Sequence, residues 1–266
     1  MLNFKKALIT LAFTLASHST FALAPQEQAV KKGLAISVEV KQRDIGWTDS
    51  TADMLMVLRN EHGQESVREI KIKSLEQENE GDKSLTIFNK PRDVKGTAFL
   101  SFSHPVGADD QWLYLPALKR VKRISSRNKS GPFMGSEFSF EDLSSFEVEK
   151  YSYKYLGDET IAGMDSFMVE QYPLDENSGY TRRVVWVDKE HYLIQKIAFY
   201  DRKDSLLKTL SYVNYQHYLD KYWRADIMKM VNHQNGKTTE LKWQNYAFKT
   251  GLKDSDFNRN SLKRVR

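Results

Sequence analysis

The spacing of apolar and polar positions changes once along this chain. From Pro25 to about Arg43, Val30, Leu34 and Val38 recur at helical intervals, with Glu27, Lys31, Lys32, Glu39 and Arg43 mostly on other sides. Pro25 suits the first turn of a helix. The spacing predicts a helix here, although the β-branched Ile36, Val38 and Val40 leave its C-terminal half open to a strand. Gly46 to Asp53 reads as a loop, and beyond it two-residue alternation takes over. Arg68, Ile70 and Ile72 alternate with Glu69, Lys71 and Lys73, the mark of a half-buried strand with one charged face. Similar runs start at Met54, Ser84, Thr97, Gln111, Glu147, Ser166, Tyr180, Leu193, Leu206, Trp223 and Thr238. Turn signals separate them, among them Glu61-His62-Gly63-Gln64, Asn79-Glu80-Gly81-Asp82, Gly157 to Gly163 and Asn235-Gly236.

Repeated hairpins with no helical crossover mean antiparallel β structure. Roughly ten strands are more than a flat open sheet carries comfortably. The expected class is therefore mainly β (α+β). The expected architecture is a strongly curved antiparallel sheet or half-open β-barrel with an N-terminal helix. Short helices or loops would close one face over a hydrophobic cavity. The tail, Asp254 to Arg266, suggests a short helix carrying Phe257 and Leu262. No internal repeat or linker divides the chain, so residues 23–266 read as one domain.

Residues 1–22 read as a secretory signal peptide. Lys5 and Lys6 precede the apolar run Ala7 to Ala16, and a small, polar stretch ends at Ala22. Cleavage is expected after Ala22, with Ala24 second because Pro25 would follow the cut. No cysteine follows the run, so the chain is not expected to be lipidated itself, and no later stretch approaches ~18 consecutive apolar residues. Removing the signal lowers the formal charge from +5 to +3. That small excess, with an export signal, argues against nucleic acid as partner. The lack of cysteine excludes disulfides and thiol chemistry.

Catalytic patterns are missing. His62, His104, His191, His217 and His233 are scattered, without the short spacing of a zinc site. Ser130-Gly131 and Gly135-Ser136 lack the context of a nucleophile elbow, and Asp109-Asp110 reads as a solvated loop. No metal, cofactor or catalytic residue is assigned, and no enzyme is expected.

Two features stand out. Lys119, Arg120, Lys122 and Arg123 form the densest run of charge, which reads either as a solvated strand end or as a contact for lipid headgroups or an acidic partner. Trp112, Tyr114, Phe133, Met134, Phe138 and Phe140 concentrate aromatic and thioether side chains nearby, followed by Tyr151, Tyr153 and Tyr155 on one strand face. Phe133-Met134 sits between Gly131 and Gly135, in a loop that must either tuck into a core or cover something. Packing explains most of these residues, and the remainder could line a pocket.

The segments PRDVKGTAFL (Pro91 to Leu100), DDQWLYLPALKRVKRISS (Asp109 to Ser126) and GPFMGSEFSFEDL (Gly131 to Leu143), with the tyrosine-rich strand after them, resemble the outer-membrane lipoprotein-sorting protein family. That family is similar to the LolA/LolB-like periplasmic carriers, and the resemblance covers essentially the whole mature chain. It implies a half-barrel with a helical lid, holding the acyl chains of a lipoprotein or lipid for transfer across the periplasm. It also implies partnership with a membrane exporter of the resistance-nodulation-division superfamily and transient membrane contact without a transmembrane segment. On this reading the loop at Phe133-Met134 gates the cavity. Two alternatives stay open: an accessory protein of an exporter or assembly complex without lipid cargo, and a lipid-modifying enzyme built on the same cavity.

Overall fold

The computed structural model describes residues 24–78 and 80–264, and the expected signal peptide lies outside the described residues. The first element, α1 (Pro25–Arg43), is helical throughout. Its β-branched residues each cost about half a kcal/mol of helix propensity. Ile36 and Val40 offset this by packing on the main core. Glu27 in the first turn and Lys41 and Arg43 in the last complement the helix dipole.

Thirteen strands follow among the described residues, all in one sheet. The first six are β1 (Asp49–Arg59), β2 (Glu65–Leu75), β3 (Lys83–Lys90), β4 (Ala98–Phe102), β5 (Asp110–Leu115) and β6 (Arg120–Ile124). The remaining seven are β7 (Tyr151–Ile161), β8 (Met164–Pro173), β9 (Arg182–Asp188), β10 (Ile194–Tyr200), β11 (Leu206–Tyr218), β12 (Tyr222–Asn232) and β13 (Thr238–Phe248). The count exceeds the expected ten partly because the basic run itself forms β6. Strand β1 begins inside the stretch expected to be a loop. Strand β7 passes through Gly157 rather than turning there. Gly157 has φ 144° and the pairing slips between Tyr155 and Gly157, so the glycine makes a bulge within the strand.

The spatial order is β6-β5-β4-β3-β2-β1-β13-β12-β11-β10-β9-β8-β7. Two antiparallel meanders run outward from the central β1–β13 pair, where Met54 lies opposite Trp243. The two edges, β6 and β7, are therefore consecutive in sequence. The 26 residues between them, 125–150, must cross from one edge of the curved sheet to the other. The result is a mostly β, unclosed half-barrel with one N-terminal helix and a strap of single-turn helices over its concave side.

Alternation sorts the side chains onto two faces. Met56, Ile70, Phe88, Phe99, Ile197 and Met230 belong to the concave-face core, which Ile36 of α1 and Phe133 and Phe138 of the strap complete. On the convex side, Leu85, Ile87, Ala98 and Leu100 are covered by Phe257 and Leu262, so the expected C-terminal helical tail acts as a patch on the sheet. Gly33 sets how closely α1 docks. A Cβ there would lie 2.8 Å from the Tyr155 backbone nitrogen and 2.9 Å from the Lys154 carbonyl carbon, so only glycine permits this approach to β7.

Candidate functional site

A cavity of about 670 Å³ lies between the strap, α1 and the concave face of β8–β12. That size falls in the range of about 300–1,000 Å³ typical of sites that enclose small ligands. Val185, Val187, Ile194, Ile197, Leu210 and Met228 supply an apolar floor. Ser37 and Val40 of α1 form one wall, and Ser144 and Phe146 of the strap form the roof. At the rim, Val106 and Leu174 remain 78% and 66% exposed, large apolar side chains left facing solvent beside an opening.

The strap is held at several points by buried polar contacts. Lys208 Nζ donates to Asp142 Oδ2 at 2.7 Å and to the Glu137 carbonyl at 2.8 Å. Tyr180 donates its hydroxyl to the other Asp142 oxygen at 2.8 Å. Burial, then the charge of Asp142, pushes the Tyr180 phenol well above its ordinary range. Glu141 accepts from the Ser178 hydroxyl and the Gly179 amide, both at 2.9 Å. Burial and the neighbouring Asp142 raise its carboxyl despite those bonds. Gln111 reaches from β5 to the Phe140 carbonyl at 3.0 Å and the Ser144 hydroxyl at 3.1 Å. Lys41 of α1 donates to the Phe146 carbonyl and pairs with Glu147 Oε2, each at 3.1 Å. Burial raises the Glu147 carboxyl, with Lys41 opposing. These contacts fix the roof to α1, β5, β11 and the β8–β9 connection.

None of Trp112, Tyr114, Phe133, Met134, Phe138 and Phe140 lines this cavity. On β5, Leu113 and Leu115 take the concave face, so Trp112 and Tyr114 point to the convex side and pack near Phe257 and Leu262. Phe133 is 1% exposed, with its ring centroid 5.1 Å from that of Phe99 and 5.5 Å from that of Phe140. Phe138 is equally buried, and Met134 and Phe140 pack beside them. The loop is also locked locally. Phe133 donates its amide to the Phe138 carbonyl at 2.7 Å, and Ser136 donates its hydroxyl to the Phe133 carbonyl at 2.7 Å. Arg68 caps the Met134 carbonyl, where Met134 adopts a left-handed φ of 51°. In place of a gate, the structure puts Phe133 and Met134 in a plug that completes the core under β3 and β4.

Lys119, Arg120, Lys122 and Arg123 are all exposed, at and just before the edge strand β6. Arg123 pairs with Asp110, which holds the Asp110 carboxyl below its usual range against the opposing effect of burial. Charged residues on an edge strand also block unwanted strand pairing. The residues of the cavity's apolar floor come from β9 to β12. Their signal was the run RRVVWVD, Arg182 to Asp188, whose continuous apolar character hid which alternate residues face inward. Among the described residues, no cluster of histidine and carboxylate side chains is arranged to hold a metal, and no helix is long and apolar enough to cross a membrane.

A family model described as an uncharacterized protein matches residues 80–264. Among solved structures, a protein from Vibrio parahaemolyticus described as an outer membrane lipoprotein-sorting protein domain is 63% identical. That match covers 88% of this chain and 99% of the other, with a TM-score of 0.87. A DUF1329 family protein from Desulfovibrio piger is 32% identical over 88% of this chain and 99% of its own, with a TM-score of 0.83. A LolA superfamily protein from Nitrosomonas europaea shares the fold at a TM-score of 0.69, with 19% identity over 89% of this chain and 99% of its own. No curated protein matches the sequence.

Proposed function

Because the chain belongs to the outer-membrane lipoprotein-sorting protein family, we propose that it is a carrier that shelters acyl chains of a lipoprotein or lipid in the cavity beneath its strap. The observation that carries this reading is the apolar floor of a 670 Å³ cavity formed by Val185, Val187, Ile197, Leu210 and Met228. Each methylene moved from water onto such a surface gains about 0.8 kcal/mol, so one bound chain accounts for a strong driving force. The exposed Val106 and Leu174 at the rim suit transfer from a membrane or a partner's apolar surface.

In this reading residues 1–22 export the protein to the periplasm, and residues 23–266 act as one carrier domain. The carrier performs no chemistry on its cargo. It hands cargo to the outer membrane or exchanges it with an exporter of the resistance-nodulation-division type, and the exposed run Lys119 to Arg123 supplies headgroup or partner contacts.

The test is lipid extraction and mass spectrometry of protein purified from the periplasm, beside a variant of the half-buried floor residue, Met228→Trp, that fills the floor. Wild type should carry stoichiometric acyl-chain lipid, and the variant should fold with the same thermal midpoint within a few degrees and carry little. Lipid-free wild type from cells whose envelope lipids are intact would sink the reading.

A further inference from the structure

Arg182 and Arg183 are neighbours on β9 and face opposite sides of the sheet. On the convex side Arg182 is neutralised twice, by Glu170 Oε1 at 3.0 Å and Asp204 Oδ1 at 2.7 Å. Arg183 lines the cavity. Its Nε donates to Gln171 Oε1 at 2.6 Å, and its guanidinium carbon lies 4.1 Å from the ring centroid of Tyr151 and 5.5 Å from that of Phe146. These contacts aim the guanidinium and shield it with aromatic faces. None of them supplies a counter-charge, and no carboxylate among the described residues pairs with it.

Of the six acids that line the cavity, four are engaged elsewhere. Lys208 holds Asp142 at 2.7 Å, and Lys129 holds Asp175 at 2.6 Å. Glu141 is bonded by Ser178 and Gly179, and burial favours its neutral form. Asp109 is paired with Lys150. Glu149 and Glu176 stay exposed at the rim.

Polarity then changes along a single strand. Arg183 lies opposite Gln171 and Phe199, Val185 opposite Val169 and Ile197, and Val187 opposite Phe167 and Ile194. Four residues of strand span about 13 Å, so a cation sits at one end of the floor and an apolar track runs away from it. An arginine withdrawn into a cavity without a counter-charge is unfavourable until an anion meets it, and its planar fork matches carboxylate and phosphate oxygens.

We propose that Arg183 binds the anionic group of an amphiphilic cargo, a carboxylate or phosphate joined to an acyl chain, with the chain laid along Val185 and Val187. This rests on the carrier reading and adds the class of cargo to it. Gln171 and Tyr151 are positioning residues for the guanidinium.

The experiment is competitive displacement of a fluorescent fatty acid from delipidated protein. The competitors are a long-chain fatty acid, its methyl ester, lysophosphatidic acid and the matching monoacylglycerol. A charge-assisted hydrogen bond gives the anionic member of each pair roughly a tenfold advantage. In Arg183→Met that ratio should fall to about one, and Arg183→Lys, which keeps the charge and loses the fork, should retain part of it. The larger of the two ratios identifies carboxylate or phosphate as the preferred group. Equal affinities within both pairs in wild type, or an unchanged ratio in Arg183→Met, would overturn the anion site and leave the carrier reading standing. Failure of all four competitors and the fluorescent probe to bind would overturn both.

Discussion

Lys208 Nζ lies 2.7 Å from Asp142 Oδ2, and each side chain is only 4% exposed. The pair joins the middle of the strap to β11, directly behind the cavity roof. Removing one partner of such a pair leaves a charge stranded in low dielectric, typically at a cost of about 3–5 kcal/mol. Lys208→Met should therefore lower the urea midpoint sharply. Lys208→Met combined with Asp142→Asn should recover much of the loss, because no unpaired charge remains. Equilibrium urea unfolding of wild type, both single variants and the double variant checks this, and additive losses would mean that the two residues act independently.

The closeness of Gly33 to β7 yields a second expectation. The atoms that a Cβ would meet at 2.8 and 2.9 Å are backbone atoms of Tyr155 and Lys154, which cannot rotate away. Gly33→Val should force α1 off the sheet and remove the cavity wall formed by Ser37 and Val40. Overpacking of this kind costs about 1–3 kcal/mol. Limited proteolysis should then cut within residues 25–46 faster than in wild type, with the sheet intact by circular dichroism. Gly33→Ala should show the same effect more weakly.

Phe133 tests the plug. Phe133→Ala should destabilise by about 3–5 kcal/mol, as expected for a buried phenylalanine, and Phe133→Asp should fail to fold. Leu118 is 62% exposed two residues before β6, so Leu118→Asp should change stability by no more than about 0.5 kcal/mol. A folded Phe133→Asp protein that has merely lost its lipid would restore the gate in place of the plug.

Phe133 also marks what could be read from the sequence. Alternation located β2 nearly to the residue, because one of its faces carries the charges Glu69, Lys71 and Lys73, and the Asn235-Gly236 turn did the same for β13. The curved half-barrel followed from the number of hairpins. A cavity was expected, but its lining did not follow, since that depends on which strands lie beneath the strap. That is settled by the pairing of β1 with β13, which places β6 and β7 at opposite edges. The aromatic cluster from Trp112 to Phe140 was visible as a concentration of side chains, but its division between convex patch and plug needed the register of β5. Arg183 was hidden for a similar reason. Adjacent arginines look alike in sequence, and only the pleat assigns one to Glu170 and Asp204 and the other to the cavity.

Asp49 gives an expectation about acid. Its side chain is buried, which alone would raise its carboxyl. The hydroxyl and amide of Thr250 and the amide of Gly251 all donate to it, and together these bonds hold the carboxyl below the usual aspartate range. The folded value therefore lies below the unfolded one of about 3.9. Stability from Asp49 is fully present above that unfolded value and is lost as the pH falls through the lower folded value. Asp49→Asn cannot accept all three bonds with a charged oxygen. It should be less stable than wild type at pH 7, and the gap should narrow as the pH is lowered below about 4. Urea midpoints of the two proteins at pH 7, 5 and 3 measure this directly, because other carboxylates titrate alike in both. The release should be local as well. Thr250 and Gly251 lead into the tail that carries Phe257 and Leu262 onto the convex face. Hydrogen exchange at residues 250–262 should thus be faster in Asp49→Asn than in wild type when both are measured at pH 7. A gap between the proteins that widens on acidification would reverse the assigned direction of the Asp49 shift.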